Sequence, residues 1–390
     1  MNDLCTDIGY QSLIKYGEET CGDHVEILEE NDDCAIMVLA DGLGSGVKAN
    51  ILSTLTSKII STMIANNMSI EECVSTIAST LPVCEKRGIA YSTFTIIHVV
   101  GNKEAEIIQF DNPHVILMRN GKNYDYDKSV MEIGEKLIYR SKIALQLNDL
   151  FIAMSDGAIY AGVGRTLNYG WQIENIVVFM ENVYKDNYSA KAIANLLLEK
   201  CNSLYEGKPG DDTTISAIRI RQRQPVNLVI GPPKDPKDVS KMFTGFFAME
   251  GKRIVCGGTT SQLAAAFLGK ELQASIQYLD PEIPPTAEIE GVDLVTEGVI
   301  TMNRVLKYAR SYLQDNEYYT EWLAKKDGAS QIARLLFEEA TDIVFYVGTA
   351  MNPAHQNPDL PINLGIKIRI VEELASCLKE MGKKIKVNFF

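Results

Sequence analysis

The stretch "VLADGLGSGVK", residues 38–48, decides how the first half of the chain is read. Val38 and Leu39 close an apolar run, Asp41 stands bare at its end, and Gly42, Gly44 and Gly46 follow at every second position. A carboxylate at the tip of a buried strand is costly to desolvate unless something pairs with it. Glycines let backbone and ligand approach closely. Taken alone, the stretch reads equally well as a tight strand-to-helix turn with Asp41 as the helix cap. Two phosphate-binding readings fail on spacing. The dinucleotide fingerprint needs G-x-G-x-x-G, whereas this is G-x-G-x-G, and a P-loop needs Gly directly before Lys, where Val47 intervenes.

Asp41 has counterparts. "FIAMSDG" ends an apolar strand with Ser155, Asp156 and Gly157; "KPGDDTTISAIRI" places Asp211 and Asp212 just before a strand; "ETCGDHVEI" places Asp23, after Gly22, before another. Each alone is an ordinary turn residue. Brought together, such carboxylates repel and take up protons unless a cation compensates them. Oxygen-only ligands suit Mg²⁺ or Mn²⁺ and not zinc. A pair of such ions about 3.5–4 Å apart can generate a hydroxide and clamp a phosphoryl group.

The 390 residues suffice for two domains, each with its own core. "MNDLCTDIGY" lacks the basic start and apolar centre of a secretion signal, and no apolar run reaches the roughly 18 residues of a membrane span. The eight cysteines include no C-x-x-C pair and read as reduced thiols, so the expected compartment is the cytoplasm. A net charge of −13 argues against nucleic acid or an anionic membrane as partner. The charge is uneven. Residues 1–221 carry 19 basic and 30 acidic side chains, the remainder 19 and 21, so the acidic excess lies with Asp41.

Up to about residue 221, strands predominate ("HVEIL", "CAIMVLA", "STFTIIHVV", "AEIIQF", "HVILMRNGK", "LFIAMSD", "ISAIRI"). The amphipathic helices "KANILSTLTSKIISTMIANN", "SIEECVSTIASTL" and "SAKAIANLLLEKCNSLY" interrupt them. This predicts α+β layers and no regular βαβ repeat. After "RQRQP" and "GPPKDPKD", strands and helices alternate, which predicts a mainly parallel, doubly wound sheet. The expected division is 1–222, a linker with first strand at 223–236, and a smaller α/β domain at 237–390.

"GEETCGDHVEI", "ADGLGSG", "YSTFTI", "MSDG" and "GDDTTISAI", in that order, resemble the metal-dependent serine/threonine protein phosphatases, and more narrowly their bacterial stage II sporulation protein E branch, over residues 5 to 221. The resemblance implies a four-layer α-β-β-α sandwich with a two-metal site at one end. It also implies Mn²⁺ or Mg²⁺ as cofactors and hydrolysis of phosphoserine or phosphothreonine on a phosphorylated protein substrate. Asp41 would bridge both ions, the Gly42 carbonyl would hold one of them, and Asp156 and Asp211 would complete the other's shell. Asp23 would act through coordinated water, and Asp212 stands where relatives carry Asn or Asp. Leu43 occupies a position where some members have a histidine, which leaves the leaving-group acid to water or unfilled. Lys15 and Arg140 are candidate phosphate contacts that nothing in the sequence selects, while His114 and His24 read as structural. The alternative is a non-catalytic regulatory or ligand-sensing module with this fold.

In the second domain "RIVCGGTTSQLAAAF" is a strand, a glycine turn and a helix start, with Thr259, Thr260 or Ser261 able to cap. Asp280 would close the next strand, as in a ribose-binding nucleotide fold, and Glu297 in "DLVTEG" would end another on the same edge. An anionic small ligand near Cys256–Ser261 is one reading of that edge, an ordinary helix cap the other. A homodimer is left open.

Overall fold

The computed structural model describes residues 3–31, 33–80, 92–133, 136–185, 188–274, 279–314, 318–350 and 363–390. Cys84, Tyr91 of "YSTFTI" and residues 275–278 of the expected strand "ASIQYLD" lie outside them. The chain divides into two compact units, Met1–Gln222 and Arg223–Phe390.

The strands of the first unit are β1 (Leu4–Leu13), β2 (Asp23–Asn31), β3 (Cys34–Asp41), β4 (Thr93–Val100), β5 (Glu104–Phe110) and β6 (Ile116–Arg119). They continue with β7 (Lys122–Asn123), β8 (Ser129–Ile133), β9 (Lys136–Ala144), β10 (Leu150–Met154) and β11 (Thr213–Gln222). Its helices are α1 (Gly46–Ala65), α2 (Ile70–Thr80), α3 (Asp156–Ile159), α4 (Ile173–Val183) and α5 (Ala190–Leu204). One sheet runs β1-β11-β10-β6-β7 and the other β2-β3-β4-β5-β9-β8.

The run "CAIMVLA" is apolar at almost every position because β3 is covered on both faces. Met37 and Leu39 point into the sandwich with Ile97, Phe151 and Ile218. Ile36 and Val38 point outward, under Ile60 of α1 and Cys73 and Ile77 of α2. On the far side, Ile152 and Met154 of β10 meet Ile176 of α4 and Leu197 of α5. The layers are therefore α-β-β-α. Each such side chain contributes about 1.5–3 kcal/mol by burial. At "RNGK" a hairpin forms between β6 and β7, with Asn120 and Gly121 both at positive φ, as a two-residue turn of matching twist requires. Strands β1, β8 and β9 and helix α4 were not expected. β8 is an edge strand with mostly exposed side chains, and β1, broken by Gly9 and polar residues, gains its order from a ten-residue pairing with β11.

The second unit runs β12 (Pro225–Ile230), α6 (Asp238–Ala248), β13 (Lys252–Cys256), α7 (Gly258–Leu268), β14 (Gln273–Ala274), β15 (Ala287–Glu288) and β16 (Leu294–Thr296). Then follow α8 (Val299–Gln314), α9 (Tyr319–Ala324), α10 (Gly328–Ala333), a π-helical turn at Arg334–Glu339, β17 (Asp342–Val347), α11 (Asn363–Glu380) and β18 (Lys384–Phe389). The sheet order is β14-β15-β16-β13-β12-β17-β18. The five strands from β16 to β18 are parallel, and β14 and β15 form an antiparallel edge. The chain steps outward from β12 through β13 to β16, then returns to place β17 on the other side of β12. That reversal is a topological switch point.

Of the strand "ASIQYLD", which would end at Asp280, residues 275–278 lie outside the described residues. Asp280 itself sits in an isolated bridge with Ile283 and binds Lys325 Nζ at 2.9 Å, and Gln273–Ala274 just before that segment pairs antiparallel. One expectation needs correction: Thr259, Thr260 and Ser261 do not cap α7. Gly257 is its N-cap without a side-chain bond, and all three residues lie inside the helix. Among the described residues, no helix is long and apolar enough to cross a membrane.

Candidate metal centre

The antiparallel register of β2 and β3 makes Asp23 and Asp41 direct cross-strand partners at one end of their sheet. In the other sheet, β10 ends at Met154, so Ser155 and Asp156 follow at its tip, and Asp211 and Asp212 precede β11 beside it. One hydroxyl joins the sheets. Ser155, fully buried, donates from Oγ to Asp23 Oδ2 at 2.8 Å and accepts from the Thr214 amide at 2.9 Å.

Gly42 follows Asp41 where the chain turns back on α1. Its amide donates to the Gly22 carbonyl at 3.2 Å, and a Cβ there would lie 2.1 Å from the Ala49 carbonyl oxygen, so no other residue fits. The Asp212 Oδ1 accepts from the Lys15 amide at 3.0 Å, and Lys15 Nζ reaches Asp211 at 3.4 Å. Asp23 and Asp212 are 5% and 4% exposed. The second oxygen of each, Asp23 Oδ1 and Asp212 Oδ2, is buried without a hydrogen-bond partner.

These acids sense one another. Burial, then the charges of Asp23, Asp156 and Asp211, push Asp41 up to about 9. Burial lifts Asp23 to about 6, against hydrogen bonds from Ser155 and Thr214 and with a push from Asp212. Asp156 is raised by burial and by Asp211, with Lys15 acting the other way. Among the described residues, no three Asp, Glu, His or Cys side chains stand together as a ready ligand cage. Two orphaned buried carboxylate oxygens and an all-oxygen donor set fit a hard divalent cation.

A family model described as Stage II sporulation protein E (SpoIIE) matches residues 31–221. That segment is of the SpoIIE type. The SpoIIE-type segment contains Asp41, Gly42, Asp156, Asp211 and Asp212; Asp23 and Lys15 precede it. Among solved structures, the chain is similar to the PP2C phosphatase domain and regulatory-domain fragment of SpoIIE from Bacillus subtilis. Identity is 22%, coverage 57% of this chain and 65% of that one, and the TM-score 0.49. The RsbU and RsbW domains of Rv1364c from Mycobacterium tuberculosis match at 16% identity over 56% and 62% of the two chains, with a TM-score of 0.47. The catalytic domain of serine threonine protein phosphatase PstP, solved with two manganese ions, matches at 14% identity over 56% and 100%, with a TM-score of 0.40. No curated protein matches the chain.

Of the remaining polar candidates, Lys15 lies among the acids and Arg140 does not. Arg140 is on β9, paired with Glu106 of the neighbouring β5, so its charge is spent within the sheet. His24 bonds Ser57 Oγ at 2.9 Å, and His114 packs edge-on against Tyr139. Ser155 was missed as a functional residue. It stands inside the "MSDG" motif, but only the approach of the two sheets shows what its hydroxyl touches.

Proposed function

We propose that the first unit hydrolyses phosphoserine or phosphothreonine on a partner protein, using two Mn²⁺ or Mg²⁺ ions. The observation that carries this reading is the crowding at Asp41, whose carboxyl is driven up to about 9 by burial and three neighbouring acids. An arrangement so unfavourable when empty of positive charge has a purpose if cations complete it. Asp41 would serve both ions, with the Gly42 carbonyl, Asp156, Asp211 and Asp212 around them and Asp23 behind. Such ions would neutralise the phosphoryl oxygens and make water a nucleophile near neutral pH. The chain's own part is orientation. Ser155 fixes one oxygen of Asp23 and leaves the other free, the Lys15 amide does the same for Asp212, and Lys15 Nζ supplies positive charge beside Asp211. No cysteine, serine or histidine is required as nucleophile, so no phosphoenzyme is expected.

Hydrolysis of an aryl phosphate and of phosphoserine peptides, with Mn²⁺ and then with chelator, is the test. Turnover that chelation leaves unchanged sinks the proposal. The alternative is a regulatory module that keeps this fold and binds partners through its acidic end without turnover. Mn²⁺ binding with no hydrolysis of any phosphosubstrate would select it.

A further inference from the structure

In the second unit, α8 and α11 leave a groove of about 620 Å³ between their N-terminal portions, within the range of small-molecule sites, roughly 300–1,000 Å³. Its floor is apolar, with Ile283, Leu306 and Ile370 each at most 6% exposed, and Ile300 stands at the mouth. Arg304, Lys307 and Arg310 follow one another at three-residue intervals along α8, which puts them on one helix face, and Arg369 answers from α11.

The charges do not balance. Arg304 is matched by Glu282. Arg310 and Arg369 share a single carboxylate, that of Glu373. Lys307 lies over the Tyr318 ring, 4.3 Å from its centroid, and has no ion pair among the described residues. Two positive charges are thus unmatched in a chain of net charge −13. α8 begins three residues after parallel strand β16, and its first residues, Val299 and Ile300, line the groove.

We propose that this groove binds a small organic phosphate. The phosphate dianion sits among Lys307, Arg310 and Arg369, and its apolar or aromatic body lies on Ile283, Leu306 and Ile370. Two unmatched charges call for a dianion, guanidinium geometry matches phosphate oxygens, and the apolar floor calls for more than the ion itself. The site is independent of the acids at Asp41.

The test uses the full chain, freed of metal by chelation, titrated calorimetrically with a nucleoside monophosphate, phenyl phosphate and inorganic phosphate. One-to-one binding of one of the two organic phosphates, at least about tenfold tighter than inorganic phosphate, is expected. Lys307→Gln and Arg310→Glu should each weaken it about tenfold or more with an unchanged circular dichroism spectrum, and Lys15→Ala should leave it intact. Should Arg310→Glu not fold, Lys307→Gln and the loss of affinity with added salt decide alone. No binding of either organic phosphate overturns the proposal. So does binding that ignores Lys307, or binding lost with Lys15, which would place the ligand among the first unit's acids.

Discussion

The two units carry opposite kinds of unmatched charge. In the first unit, Asp23, Asp41, Asp156 and Asp211 stand at strand ends with little positive charge near them, and three of the four hold their protons more tightly than usual. In the second, the acids that the sequence reading placed at strand ends are satisfied. Glu297 accepts from the Ile300 amide at the start of α8, and Asp280 binds Lys325 and falls below the usual carboxylate range. What is left over there is positive, on Lys307 and the Arg310–Arg369 pair. An acid in a strand-end turn is therefore no sign of a cation site by itself. Its local compensation is the sign.

Removing the most crowded acid is the strongest way to break this contrast. Asp41→Asn should lower Mn²⁺-dependent hydrolysis by on the order of 10²–10³, since one carboxylate is asked to serve both ions. Steady-state rates across a Mn²⁺ series measure it. A variant as active as the parent would falsify the assignment of Asp41.

The next effect belongs to Ser155. Ser155→Ala removes the donor to Asp23 Oδ2 and leaves the Thr214 amide unpaired in a buried position. Partners that orient a metal ligand typically contribute 10–100-fold in affinity, so calorimetric Mn²⁺ binding should weaken by about that factor. Ser155→Thr, which keeps the hydroxyl, should recover part of the loss. Equal Mn²⁺ affinity in the alanine variant and the parent would leave Ser155 a structural link only.

Most of this was legible in the sequence where one strand was read at a time. The glycine-flanked aspartates could be found because each interrupts an apolar run at its tip, and β3 announced its two covered faces by having no polar alternation. What depends on two distant segments could not be found that way. Ser155 and Asp23 meet across 132 positions, Arg140 loses its role to a partner on the adjoining strand, and Asp280 to a lysine 45 positions on. β8 escaped because its side chains are exposed or half-exposed, and β9 because its buried positions, Ile138, Ser141 and Ile143, follow no clean alternation.

A third effect is smaller and concerns the metal-free chain. Folded, Asp41 keeps its proton up to about pH 9; unfolded, it releases it near 3.9. Between those values the folded state holds the extra proton, so stability from this group falls as pH rises. Thermal unfolding in chelator should show a midpoint that declines from about pH 4 to 9. Asp41→Asn should flatten the decline and raise the midpoint above neutral pH, by roughly 2–4 °C for each kcal/mol relieved. A decline of the same slope in the variant would assign it to other groups.

Asp280 should show the reverse sign and the least effect. The hydrogen bond from Lys325, then that from the Glu282 amide, holds its carboxyl below the usual range. Its contribution is therefore fully present above the unfolded value near 3.9 and is lost as pH falls through the lower folded value. The gain is modest because Lys325 is 39% exposed and is shared with Glu321, so solvent screens the pair and the lysine keeps a second partner. Asp280→Asn should cost no more than about 1 kcal/mol, measured by urea unfolding at neutral pH, and the cost should shrink on acidification below pH 4. Added salt should shrink it too. If Asp280→Asn instead stabilises the chain at neutral pH, Asp280 is as poorly compensated as Asp41, and the contrast between the two sets of acids is lost.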